Sequence, residues 1–240
     1  KNEKPNLKKI YNLETRKFEI GIDEAGRGPM FGRVYCAAVI LPNDENFKYE
    51  ILKDSKKFTS QKKITEVAQY IKNNAVSWAI AYEDEKTIDN LNIRNAVHKA
   101  MHASISEILK KYNSQNDKDL EYSEDFYLLI DGNDFKPYTY LTKTSNIIKQ
   151  VNHVLIEGGD NKFCSIAAAS ILAKVERDKW IKEMCEKYKK LVEYYNLEKN
   201  KGYGTAQHLD GIKKYGISPW HRTTYGCCKN AIQNQEDFYL

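Results

Sequence analysis

Three places in the chain carry acidic residues in settings where they could do chemistry: Asp23 with Glu24, Asp131, and Asp160. Hydrolysis of a phosphodiester needs an activated water and neutralisation of the charge that builds on the phosphate, and two divalent ions held by three or four carboxylates supply both. Hard ions of this kind take oxygen ligands. Each place also has a plain reading. An Asp-Glu pair commonly opens a turn or a helix, Asp131-Gly132-Asn133 reads as a turn, and Gly158-Gly159-Asp160 as a helix start. The surroundings of the first pair add weight to the chemical reading. Asp23-Glu24 runs into Ala25-Gly26-Arg27-Gly28-Pro29 and then Gly32, a glycine-dense turn whose amides can approach a sugar-phosphate backbone closely.

Ligands for such ions need a rigid frame, and strand ends provide one. Phe18, Ile20 and Ile22 alternate with Glu19, Gly21 and Asp23, which predicts a half-buried strand with Asp23 facing away from the Phe18–Ile22 side. Residues 34–41 and 76–82 are two further apolar strands, 126–130 is a strand ending on Asp131, and a short strand at 153–156 precedes Asp160. Thr59 or Ser60 caps a helix bearing Ile64, Val67, Ala68 and Ile71 on one face. A second helix is predicted over 92–110 from Ile93, Ala96, Val97, Ala100, Met101 and Ile108 at helical spacing. The polar stretch 112–125 reads as an exposed loop. Residues 165–190 form one long helix whose Ala-rich first half lets a sheet come close, and no internal repeat is visible. Strands early, then helix, strand and helix, make a mixed α/β pattern.

Across 240 residues, 41% are hydrophobic and 30% charged, which is enough for a sizeable core and excludes disorder throughout. With 38 Lys and Arg against 33 Asp and Glu, the formal charge is +5, a modest excess that suits a polyanionic partner. Lysines gather at Lys53, Lys56, Lys57, Lys62 and Lys63, and again at Lys187, Lys189, Lys190, Lys199 and Lys201. Either cluster taken alone reads more readily as a solvated helix face than as a phosphate contact. The cysteines, Cys36, Cys164, Cys185, Cys227 and Cys228, show neither C-x-x-C pairing nor a histidine pattern, against a zinc site and a disulfide framework. No apolar run approaches the roughly 20 residues that span a bilayer, and the lysine-rich N-terminus is unlike a secretory signal. The expected setting is soluble, reducing and cytoplasmic, with no membrane partner.

Five segments in order, GIDEAGRGPMFGRV at 21–34, LKDSKKFT at 52–59, LIDGN at 129–133, SIAAASILAKVERD at 165–178 and KGYGT at 201–205, resemble type 2 ribonuclease H (ribonuclease HII). The resemblance implies an RNase H-like fold: a mixed β-sheet with an antiparallel first half, flanked by helices, and a helical C-terminal segment. It divides the chain into a polar arm (1–16), a catalytic domain (17–180) and a C-terminal helical segment with a substrate-contacting motif (181–240). By motif, Asp23, Glu24, Asp131 and Asp160 take the places of the family's four metal-binding acidic residues. Gly26, Arg27 and Gly28 match the turn that senses the ribose 2′-hydroxyl through backbone groups, the group that distinguishes RNA from DNA. Tyr203 matches the tyrosine that stacks on the sugar following the ribonucleotide. Lys53, Lys56 and Lys57 are implied phosphate contacts, with Arg27 and Lys174 as further candidates. His208, His221 and Arg222 fall in a family-like tail, where packing or substrate contact is favoured over catalysis.

Two departures from the pattern bear on the fourth carboxylate: the interval from Asp131 to Asp160 is longer than in bacterial members, and Gly158 stands where a lysine is often found. Asp134 is the nearby competitor, but it lacks the SIAAAS helix that follows Asp160. The implied activity is endonucleolytic hydrolysis of RNA in RNA–DNA duplexes, including single ribonucleotides embedded in DNA. Cleavage falls 5′ of the ribonucleotide and leaves a 3′-hydroxyl and a 5′-phosphate, with Mg2+ or Mn2+ as cofactor and a monomeric enzyme. Two other readings stay open: a nuclease for long hybrids alone, which the glycine turn and Tyr203 oppose, and a non-catalytic hybrid-binding subunit, which the four carboxylates oppose. The C-terminal QNQEDFYL reads as a flexible tail.

Overall fold

The computed structural model describes residues 7–12, 17–116, 121–142 and 145–238. In chain order the elements are β1 (Phe18–Ala25), β2 (Val34–Ile40), α1 (Gln61–Asn74), β3 (Ser77–Glu83), α2 (Glu85–Leu91), α3 (Ile93–Asn116) and α4 (Tyr122–Asp125). Then follow β4 (Phe126–Asp131), β5 (Thr139–Leu141), β6 (Ile148–Gln150), β7 (Asn152–Ile156), α5 (Cys164–Lys187), α6 (Lys190–Tyr195), α7 (Leu197–Asn200) and α8 (Ala206–Tyr215). One five-stranded sheet has the order β3-β2-β1-β4-β7, and β5 and β6 form a separate antiparallel pair. In the main sheet β1 runs parallel to β4 with Ile22 opposite Ile130, and β4 runs parallel to β7 with Asp131 opposite Ile156. One step beyond Ile22 and Ile130, the register sets Asp23 beside Asp131 at the same sheet end.

The local reasons are legible in the side chains. Ser60 caps α1, accepting from the Lys63 amide, and Ile64, Val67, Ala68 and Ile71 are its buried face, as the spacing predicts. β1 differs from the half-buried strand expected: Ile20, Gly21, Ile22 and Asp23 are all buried. The second face is covered because Gly21 lies against the Ser165 and Ile166 backbone, where an added Cβ would come within 2.1 Å of the Ser165 carbonyl carbon. The small residues that follow, Ala167, Ala168 and Ala169, are fully buried.

Other elements depart from expectation. Residues 112–116 continue α3 and 122–125 form α4, so the predicted loop is helical at both ends, with 117–120 outside the described residues. Helix α2 is capped by Asp84, whose side chain accepts from the Thr87 amide. The C-terminal stretch is not a free tail up to residue 238: Ile217 pairs with Gln233, and Phe238 is buried. Of the arm, 1–6 and 13–16 lie outside the described residues; Lys8 bridges to Phe163, and Tyr11 stacks on Tyr127 at 5.9 Å.

Two compact units account for the described chain. The first comprises the chain up to Glu24 with Cys36–Ala81 and His98–Val175, and the second comprises Ala25–Tyr35, Tyr82–Val97 and the chain from Glu176 onward. The first holds β1, β4 and β7, and the second α6, α7 and α8.

Candidate active site and recognition turn

In the first unit the parallel register brings Asp23 and Asp131 together, and the turn after β7 adds Asp160. Asp23 and Asp160 are buried. The proton affinity of Asp23 is raised well above the ordinary carboxylate range by burial first, then by the charges of Glu24 and Asp131. Asp160 is raised by burial, by Asp54 and by Asp131. Carboxylates that hold one another's protons on in this way share one electrostatic neighbourhood. Asp131 is anchored in it by the Gly159 amide, which donates to its Oδ1 at 2.6 Å. Among the described residues no three His, Cys, Asp or Glu side chains stand close enough to be a ready ion cage. Asp134 faces elsewhere, with an oxygen 3.5 Å from His98 Nε2.

The lysines of the DSKK segment divide. Burial works against the charge of Lys56, but Asp160, Asp54, Asp23 and Asp131 outweigh it and hold the ammonium's proton more tightly than usual, so Lys56 belongs to the carboxylate neighbourhood. Lys57 bonds to Asn161 Oδ1, and Lys53 lies over the Phe58 ring at 4.4 Å. Lys174 sits half-buried on α5. Beneath them runs a polar network that the residue pattern did not reveal. Asn161 donates to Asp54 at 3.1 Å and to Asp160 at 3.0 Å, while Asp54 also accepts the Lys56 amide at 2.8 Å. Burial would raise the proton affinity of Asp54, yet these bonds and the Lys56 charge bring it below the usual value. The Ser55 and Ser170 hydroxyls meet at 3.0 Å, and Ser170 partly offsets the rise in the proton affinity of Asp23.

The second unit brings the other candidates together. Arg27 and Gly28 are exposed at the tip of the glycine turn. Tyr203, 52% exposed, lies against Gly28: a Cβ there would be 3.6 Å from the tyrosine Cε1. The main chains of the two segments are joined where the Met30 amide donates to Gly202 O at 2.8 Å. His208 and His221 are buried beneath, and their bonds determine their tautomers. His208 Nδ1–H donates to Tyr203 O at 3.0 Å, so His208 Nε2 must accept from His221 Nε2–H at 2.9 Å, and His221 Nδ1 accepts the Ser218 amide at 3.0 Å. Only neutral rings satisfy this chain. Burial lowers the proton affinity of both, and His208 lowers that of His221 further. These two histidines are packing and anchoring groups.

A family model for ribonuclease HII matches residues 20–228. The chain belongs to the ribonuclease HII family. It is thereby a type 2 ribonuclease H. Its relatives include the ribonuclease HII of Caldanaerobacter subterraneus subsp. tengcongensis, 44% identical over 91% of this chain and 77% of that protein. That of Parabacteroides distasonis is 39% identical over 89% and 92%. Among solved structures, ribonuclease H2 from Pyrococcus horikoshii OT3 overlaps with a TM-score of 0.63 at 20% identity, covering 88% of this chain and 95% of that one. Bst-RNase HIII in complex with Mn2+ overlaps at 0.58 and 18% identity, covering 85% and 64%. These overlaps show the fold, an RNase H-like mixed sheet flanked by helices with a helical C-terminal region.

Four neighbours of the candidate carboxylates escape a reading of the sequence: Asp54, Asn161, Ser55 and Ser170. Asp54 and Ser55 stand inside the LKDSKKFT segment at 52–59, where the lysines draw attention because their charge suits phosphate. Ser170 carried a weak signal as a polar residue within the apolar run 166–173.

Proposed function

We propose that the chain cuts the RNA strand of RNA–DNA duplexes and also nicks DNA at a single embedded ribonucleotide. The cut lies 5′ of the ribonucleotide and leaves a 3′-hydroxyl and a 5′-phosphate. The observation that carries this reading is the shared neighbourhood of Asp23, Asp131 and Asp160 around Lys56, with Glu24 next to Asp23. The donor set fits hard divalent cations: it is all oxygen, and the burial and mutual repulsion that raise Asp23 and Asp160 are what a doubly charged ion offsets. Mg2+ or Mn2+, as a pair held by Asp23, Glu24, Asp131 and Asp160, supplies when bound the activated water and the charge neutralisation that hydrolysis requires.

The chain's own groups do the rest. Lys56 meets a phosphate oxygen by charge, with Lys53 and Lys57 contributing to backbone attraction. The amides of the Gly26–Gly28 turn, with Arg27 beside them, contact the 2′-hydroxyl. The exposed ring of Tyr203 packs on the deoxyribose that follows, so that an RNA-to-DNA junction is preferred. The apposition of Gly28 and Tyr203 supports junction reading over a nuclease for long hybrids alone. The test is cleavage by the purified chain of three duplexes: one embedded ribonucleotide, a continuous hybrid, and DNA only. A nick 5′ of the ribonucleotide with Mg2+ or Mn2+, and an intact DNA duplex, is expected. Cleavage of the hybrid alone would overturn junction reading, and cleavage of none would overturn the activity.

A further inference from the structure

We infer that Arg222 and Arg177 are positioning residues for ribonucleotide recognition, which hold the glycine turn so that its amides face outward. This rests on the reading of that turn and Tyr203 as the junction reader. Arginine is almost never fully buried unless its donors are taken, yet Arg222 is 0% and Arg177 3% exposed. Burial, and then Arg222, bring the proton affinity of Arg177 down to about 10. Two neighbouring guanidinium groups are a costly arrangement to bury, and what they bond to shows what offsets the cost.

Six of their bonds end on main-chain carbonyls, and the Arg222 guanidinium also lies over the Tyr225 ring at 5.0 Å. Arg222 donates from Nη2 to Gly26 O at 2.6 Å, from Nη1 to Arg27 O at 3.0 Å and from Nε to Gly32 O at 2.8 Å. Arg177 donates from Nε to Arg33 O at 3.1 Å, and from Nη2 to Phe31 O at 3.2 Å and Lys201 O at 3.0 Å. In a trans peptide the carbonyl and the following N–H point in opposite directions. Turning Gly26 O and Arg27 O inward therefore turns the Arg27 and Gly28 amides outward, at the exposed tip. The rigid fork of Arg222 sets both planes at once, which the single nitrogen of a lysine cannot do. Arg177 ties the same turn to the segment that bears Tyr203, through Lys201. Gly26 leaves room for it: φ there is +95°, and a Cβ would lie 2.2 Å from Arg177 Nε.

The experiment compares Arg222→Lys and Arg177→Lys with wild type in the full chain, reading kcat/KM on a single embedded ribonucleotide and on a continuous hybrid. Misplacement of a contact by about 1 Å can cost about 100-fold, so the embedded-to-hybrid ratio should fall at least about tenfold in Arg222→Lys. A merely structural role lowers both substrates in parallel with the folded fraction, and an unmoved ratio overturns the inference. Should Arg222→Lys fail to fold, Asp89→Asn keeps the question decidable. Asp89 accepts from the amides and hydroxyls of Thr223 and Thr224 next to Arg222, so its loss loosens that segment without opening the core. The ratio should then fall in Asp89→Asn and Arg177→Lys, and constancy in both overturns the inference. Failure of wild type to cut the embedded substrate would instead strike the junction reading itself.

Discussion

Gly21→Ala tests how the fold holds Asp23. A Cβ at residue 21 would lie 2.1 Å from the Ser165 carbonyl carbon, 2.4 Å from its oxygen and 2.5 Å from the Ile166 nitrogen, where ordinary contact begins at 3.4 Å. All three are backbone atoms at the start of α5, so no side-chain rotation relieves the clash. Strand and helix must part by roughly 1 Å in a close-packed core, an overpacking that costs about 1–3 kcal/mol, with the upper end expected for backbone. For a chain of this size the upper end is a fall in Tm of roughly 6–12 °C. Asp23 is two residues along the same strand, so it moves with Gly21, and kcat/KM on a continuous hybrid should drop by about 100-fold well below the melting point. Thermal melting by circular dichroism and hybrid cleavage read the two effects separately. An unchanged Tm would refute the close approach of α5 to β1, and a lowered Tm with full activity would refute the link from that approach to Asp23. Gly28→Ala is the contrast. Among the described residues its Cβ meets only Tyr203 Cε1, at an ordinary 3.6 Å, so Tm should hold and any loss of cleavage reports crowding of the substrate.

Asp160→Asn should abolish cleavage and Asp134→Asn should leave most of it, because Asp160 shares the field of Asp131 and Asp54 whereas Asp134 faces His98; the reverse pattern would transfer the fourth carboxylate to Asp134. Lys56→Ala should weaken binding to every duplex alike and reduce the salt slope by about one, as loss of a phosphate contact does. An unchanged slope removes Lys56 from phosphate binding. Tyr203→Ala should cut single-ribonucleotide cleavage far more than hybrid cleavage, with Tyr203→Phe retaining most of both, since stacking is worth about 1–3 kcal/mol. A ratio unmoved by Tyr203→Ala assigns junction reading to the glycine turn alone. The His208–His221 pair predicts a pH effect on stability: both are held below the ordinary histidine value of 6.5, so as pH falls through that value the unfolded chain takes up protons the folded pair refuses, and stability is lost. Tm between pH 7.5 and 5.5, about one unit either side of the histidine value, should fall more steeply in wild type than in His221→Gln, and equal slopes would refute the neutral pair.

What could be read in advance, and what could not, divides on where each residue's partner lies. The four candidate carboxylates stand out because strand patterning is local: the apolar run Phe126–Ile130 must end somewhere, and the residue at its end is Asp131. α1 is legible for the same reason, its cap and its buried face all lying within twelve residues from Ser60 to Ile71. β1 is legible as a strand, but the burial of its second face is not, because alternation counts side chains and at Gly21 the deciding feature is a side chain that is missing; what fills the space is backbone from Ser165, far along the chain. α2 is short and depends on a single Asp84 cap, and the β5–β6 pair is three residues a strand, too brief for either period to register. Asp54 and Asn161 are polar residues like many others until the fold sets them against Asp160. Arg222 and Arg177 are the limiting case. Their charge suggests surface or phosphate, but their donors end on carbonyl oxygens, which every residue carries and no pattern of residue types can reveal. The candidate carboxylates are therefore visible as residue types at strand ends. Residues that orient the main chain become visible only once the turn they hold has been folded.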